Sequence, residues 1–189
     1  MQPYPQETMD AFLDCFSNSG KVTIDPVTKL VSVTGSVHLK VDRHELPVAF
    51  DRVDGDFDIA YNQLRSLKGC PVFVGSDFYC KNNRLTSLDG GPRKVVGAYN
   101  ARNNHLTSLK GVPIEVGTRF ILTVHPDTPL LNILHMEHYR ELDLSSALTD
   151  RMKDVEEILY RYRGLGYDGM APCAARMAKA GYGSNARAG

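Results

Sequence analysis

A six-residue phrase returns three times in this chain at a fixed interval. Asn62-Gln63-Leu64-Arg65-Ser66-Leu67 recurs as Asn83-Arg84-Leu85-Thr86-Ser87-Leu88 and again as Asn104-His105-Leu106-Thr107-Ser108-Leu109. Both steps are 21 residues. A glycine and a proline follow each copy: Gly69 and Pro71, Gly90 and Pro92, Gly111 and Pro113. A valine and a glycine come next, as Val74-Gly75, Val96-Gly97 and Val116-Gly117. Upstream, Phe57 and Ile59, Phe78 and Cys80, and Tyr99 and Ala101 hold the same places before each asparagine. Self-similarity at such a period excludes most ordinary globular topologies, because each repeat is a unit that can bury its apolar face only against a neighbour.

The residue types predict the local structure. An apolar-x-apolar pair is a short strand with both side chains turned inward. The asparagine stands where the chain leaves the strand, and its amide can bond backbone groups otherwise buried without partners. The two leucines fill the core beyond it: Leu64 and Leu67, Leu85 and Leu88, Leu106 and Leu109. Glycine and proline turn the chain back. Weaker copies flank the three. Val37 and Leu39 precede Asp42, with Leu46-Pro47 downstream, and Phe120 and Leu122 precede His125, where the leucines are lost. The expectation is an α/β solenoid of about five short parallel strands, following the leucine-rich-repeat pattern.

Three segments follow: an N-terminal cap over 1–34, repeats over 35–125, and a C-terminal helical cap and tail over 126–189. In the first, Met9, Phe12, Leu13 and Phe16 predict a helix over 6–19, and Lys21 to Ile24 and Leu30 to Val33 predict strands around Asp25-Pro26. In the last, Leu130 to Tyr139 reads as a short helix or an extra coil, and Glu141 to Leu144 as a final strand. Asp150 to Tyr162 reads as a helix with Met152, Val155, Leu159 and Tyr162 on one face. Pro172 suits the first turn of a last helix that places Cys173, Met177 and Ala180 on one face, and Gly183 to Gly189 reads as a mobile tail.

The block Asn83 to Pro92 resembles the short leucine-rich repeats of open reading frames in tailed bacteriophages and some bacteria. There "NxLTSLxGxP" alternates with a "GxFxCxxN" strand, much as in Gly75 to Asn83. The specific part covers 35–125. The resemblance implies the fold and a phage origin, and it carries no catalytic residues to this chain.

Composition narrows the function classes. The formal net charge is zero and 42% of residues are hydrophobic. No apolar run reaches the roughly 20 residues that span a bilayer. Residues 1–7 lack a basic and an apolar leader region, so the expected location is the cytoplasm (the host's, for a phage protein), with a virion as the other location left open. Cys15, Cys70, Cys80 and Cys173 form no CxxC pair and read as reduced, packed thiols. His135 and His138 stand three apart, but nothing else in the sequence supplies further metal ligands at a recognisable spacing. Gly164-x-Gly166-x-x-Gly169 follows a helix and not a strand, which argues against a dinucleotide loop. Neither a nucleophile–base pair nor paired carboxylates can be argued, so the reading is a non-enzyme with no cofactor and no metal.

What remains is a surface. Side chains alternating with the inward pair point outward, onto what would be the concave sheet face. Asp58, Tyr79, Lys81, Asn100, Arg102 and Arg119 are the candidate partner-binding residues. Asp51, Asp54, Asp56 and Asp58 cluster early, and Lys81, Arg84, Arg93, Lys94, Arg102, Lys110 and Arg119 come later. The expected partner is a host or phage protein. The alternatives are a structural role in a phage particle and nucleic-acid binding through basic and aromatic residues at Arg161-Tyr162-Arg163 and Tyr167.

Overall fold

The inward–outward alternation is realised as two parallel ladders wound into one β-solenoid of about five turns. The structure is a computed structural model that describes residues 16–18, 20–40, 43–125, 128–145 and 149–188. Its strands are β1 (Phe16–Asn18), β2 (Val22–Ile24), β3 (Val31–Val33), β4 (Val37–Leu39), β5 (Phe50–Val53) and β6 (Phe57–Asp58). They continue as β7 (Phe73–Val74), β8 (Phe78–Tyr79), β9 (Lys94–Val95), β10 (Tyr99–Ala101), β11 (Glu115–Thr123) and β12 (His138–Ser145). The first ladder is β4-β6-β8-β10-β11-β12, and the second is β3-β5-β7-β9-β11-β12. β11 and β12 run through the corner and belong to both.

The motif announces the first ladder. Val37, Phe57, Phe78, Tyr99, Phe120 and Leu142 pair in register as one inward column. Phe57 stacks on Phe78 with centroids 6.0 Å apart, and Phe78–Tyr99 and Tyr99–Phe120 meet edge to face at 4.6 and 5.3 Å. Each such pair adds roughly 0.5–1.5 kcal/mol to the area it buries.

The second ladder is an addition to the sequence reading, which places one strand in each coil. Val33, Val53, Val74, Val95, Val116 and Tyr139 pair in register and are all buried. Val95 therefore takes the core position that the Val96-Gly97 match assigns to Val96, which is 47% exposed. The fixed 21-residue step from Val74 lands on Val95. The corner between ladders is tight, and a Cβ on Gly117 would overlap the Val96 carbonyl oxygen.

Asparagine joins coil to coil. Asn83 donates from Nδ2 to Ile59 O at 2.8 Å in the coil before and to Cys80 O at 3.1 Å in its own, while its Oδ1 accepts Leu64 N–H at 3.0 Å. Asn104 repeats this one coil later, on Cys80 O, Ala101 O and Leu85 N–H. Asn62 donates to Leu39 O and Ile59 O. A second ladder lies at the corner. Ser36 Oγ accepts Asp56 N–H, Asp56 Oδ1 accepts Asp77 N–H, and Asp77 Oδ1 accepts Ala98 N–H.

The termini depart from expectation. Residues 6–15 and 19 of the expected helix lie outside the described residues. Phe16–Asn18 is a strand, antiparallel to β4 with Phe16 opposite Leu39. The first strand of a parallel ladder leaves one edge of backbone groups unpaired, and a strand satisfies them where a helix cannot. The two strands expected around Asp25-Pro26 are β2 and β3; they pair antiparallel, and β3 also pairs parallel with β5. The ladders thus run from Val31 to Ser145.

After β11 come a 3-10 turn (Leu131–His135), β12, and helices α1 (Thr149–Tyr162) and α2 (Gly166–Lys179). Val155 and Leu159 of α1 are fully buried. α2 begins six residues before Pro172, which lies inside it. Gly169, Cys173 and Met177 form one buried face, and its packing outweighs the single hydrogen bond that proline removes. Ala180 lies exposed beyond the helix. The tail is tied down: Leu130 N–H bonds Asn185 O, Leu131 N–H bonds Arg187 O, and Tyr182 and Asn185 are buried. Asn185 Nδ2 donates to Thr128 O at 2.8 Å and to His125 O at 3.3 Å. A tail asparagine thus closes the turn where His125 stands in the asparagine column.

Candidate interaction face

Registration of the first ladder sorts its outward side chains into columns. His38, Asp58, Tyr79, Asn100, Ile121 and Asp143 form the middle one. Bonds from Tyr61 N–H to Lys81 O and from Asn82 N–H to Arg102 O carry the register past the strand ends. Lys40, Ala60, Lys81, Arg102 and Thr123 form the next column on that side. Arg119 lies on the other side, paired in register with Glu141. The six residues read from sequence are thereby brought onto one sheet.

Their engagements differ. Asp58 accepts Ala60 N–H through Oδ1 at 2.9 Å and faces His38 Nδ1 at 3.6 Å. Tyr79 donates its hydroxyl to Asp77 Oδ2 at 2.6 Å, and this bond, with partial burial, pushes its pKa up to about 12. Asn100 is buried and accepts Arg102 N–H at 3.2 Å. Arg102 reaches across β11 to Asp143 at 2.5 Å, over the column position of Ile121, which is 6% exposed. Arg119 pairs with Glu141 at 3.1 Å. Lys81 forms no ion pair among the described residues, and its ammonium sits 5.3 Å from the centroid of the Tyr61 ring.

The basic half of the face is therefore partly neutralised by β12. The sequence counts Lys81 to Arg119 against Asp89 and Glu115 alone. Glu141 and Asp143 lie far along the chain and fold back beside those arginines. Tyr61 is the face residue that the motif misses. It is 71% exposed and has φ of 57°, the left-handed region. Its counterparts 21 and 42 residues on, Asn82 and Asn103, share that conformation. A positive φ costs a non-glycine residue about 1–2 kcal/mol, least for asparagine, so a bulky tyrosine at the first of three matched positions is unusual.

Other sequence candidates are taken up elsewhere. Arg163 stacks 3.7 Å from the Tyr160 ring centroid and donates to Tyr139 O, and Arg161 pairs with Glu157. His135 lies in the 3-10 turn against Tyr167, while His138 begins β12. Among the described residues no three His, Cys, Asp or Glu side chains group to hold a metal. No described helix is long and apolar enough to cross a membrane. Cys70, Cys80 and Cys173 are free and buried, and burial raises all three thiol pKa values, to about 11 at Cys173. Cys15 lies outside the described residues.

Compared with models of protein families, with curated proteins and with solved structures, the chain matches none.

Proposed function

We propose that this chain is a non-catalytic interaction module of the leucine-rich-repeat type, encoded by a tailed phage, that binds a protein in the host cytoplasm through the outer face of its first ladder. The carrying observation is the split of labour within each strand. Inward columns make the core, asparagine and aspartate ladders satisfy the backbone, and the remaining outward side chains form one surface across six strands. Solenoids characteristically bind on such surfaces. Tyrosine and arginine, the residue types most often found at interface hot spots, stand on it.

Within the face, support is strongest at Lys81, which forms no ion pair among the described residues. Arg163, stacked on Tyr160 and donating to Tyr139 O, is committed to packing, which weakens the nucleic-acid alternative.

The test is charge reversal at Lys81 and Arg119, with the partner first identified by affinity purification from infected cells. Loss of that partner on reversal is the expected result, and retention by both variants would exclude the face. Fixed stoichiometry in purified virions, read by mass spectrometry, would instead favour a structural component of the particle.

A further inference from the structure

Resting on that reading, we propose that the module recognises an acidic peptide segment, and that its docking point is a ridge at the strand ends built from Lys40, Tyr61 and Lys81. The ridge is where the face is least committed to itself. Arg102 and Arg119 are neutralised by Asp143 and Glu141, whereas Lys40 and Lys81 form no ion pair among the described residues. Lys40 and Lys81 share a column two strands apart, roughly 10 Å by sheet spacing. Tyr61 projects from the coil between them, largely exposed, with the Lys81 ammonium over its ring.

Strain supplies a second, independent observation. The repeat places asparagine at the two positions equivalent to Tyr61, so a cheaper residue for this backbone exists within the same chain. A strained, exposed aromatic is the kind of feature that function retains against stability. Its ring offers a rigid apolar surface, and the flanking ammonium groups offer charge to carboxylates, which together fit an acidic segment with an apolar side chain.

Charge alone would also attract nucleic acid. Binding of a single strand, however, uses a series of aromatic platforms for successive bases. The ridge has one, because positions 82 and 103 are asparagines, and one approach to that ring is already occupied by Lys81.

The experiment is an amide NMR titration of the full chain with three probes: a twelve-residue Asp/Glu-rich peptide containing one leucine, its Lys-rich counterpart, and a twelve-nucleotide oligothymidine. The expected result is saturable shifts at Lys40, Tyr61 and Lys81 with the acidic peptide alone. Lys81→Glu and Tyr61→Asn should each weaken it at least about tenfold, the mark of an interface residue worth more than about 1.4 kcal/mol. Tyr61→Asn should at the same time raise the Tm, which separates lost binding from lost folding. Oligothymidine binding with a silent peptide, shifts confined to Arg161, Arg176 and Lys179, or unchanged affinity in Tyr61→Asn would each overturn the ridge. A cellular partner lost on Arg119→Glu but kept by Lys81→Glu would also overturn it, while leaving the interaction-module reading in place.

Discussion

Replacing Asn83 with alanine tests the physical basis of the solenoid. The side chain is 5% exposed and makes three bonds of 3.1 Å or less: to Ile59 O, to Cys80 O and from Leu64 N–H. The losses are unequal. Ile59 O keeps the amide of Asn62, and Cys80 O keeps that of Asn104. Leu64 N–H has no other acceptor among the described residues, so Asn83→Ala strands a buried donor, at about 1–3 kcal/mol. The two carbonyl bonds add about 1 kcal/mol each. The sum is about 3–5 kcal/mol, a large share of the roughly 5–15 kcal/mol that holds a domain of ordinary stability. At about 2–4 °C per kcal/mol for a chain of this length, the Tm should fall by roughly 6–20 °C. Urea unfolding followed by circular dichroism measures the total, and amide hydrogen exchange locates it, with Leu64 losing protection first. Arg84→Ala, next in the chain and exposed, should stay within about 0.5 kcal/mol. A loss below about 1 kcal/mol with Leu64 still protected would refute the argument that asparagine holds the coils together.

Three further outcomes follow from other sites. Gly111 has φ of 83°, and a Cβ there would stand 2.5 Å from both Asp89 Cα and Leu88 O; Gly111→Ala should destabilise by more than about 2 kcal/mol in the same urea assay. The Tyr99 hydroxyl is buried with no hydrogen-bond partner among the described residues, so Tyr99→Phe should be neutral or stabilising by about 1 kcal/mol in the same assay, and a comparable loss would refute this. Tyr79 should ionise near pH 12, held back first by its bond to Asp77. Because folding raises this acid's pKa, its contribution to stability is complete below the ordinary tyrosine value near 10 and is lost as pH rises through about 12. Ultraviolet titration of Tyr79→Phe against the parent chain should show the missing late step.

How much of this was legible depends on whether the interaction is local. The inward pair, the asparagine and the two leucines can be read directly, because each is dictated by strand alternation and by the need to satisfy one buried turn. The second ladder was also encoded, as Val53, Val74, Val95 and Val116. It was obscured at one point, where two adjacent valines precede Gly97 and the glycine match selects the wrong one. The N-terminal strand and the plugging role of Asn185 were not legible, since both answer to unpaired groups that exist only once the solenoid has ends. Pro172 misled for a related reason: a local helix-start preference lost to a buried face spanning Gly169 to Met177.

The same division explains why the candidate face was half visible. Periodicity determines which way a side chain points, and Asp58, Tyr79, Asn100 and Arg119 take outward positions of the first ladder, with Lys81 and Arg102 just past its strand ends. It does not determine what meets that side chain there. Arg102 and Asp143 are 41 residues apart, and they meet because β12 continues the ladder after the recognisable motif has ended. In a solenoid every added strand lays a new row of outward charges beside the last, so the charge of a face belongs to neighbouring coils together and not to any one repeat. A row that carries opposite charges, as Glu141 and Asp143 do, closes the face at that end. Cationic groups with no ion pair among the described residues are then left toward the earlier coils, beside a tyrosine that the backbone accommodates only under strain.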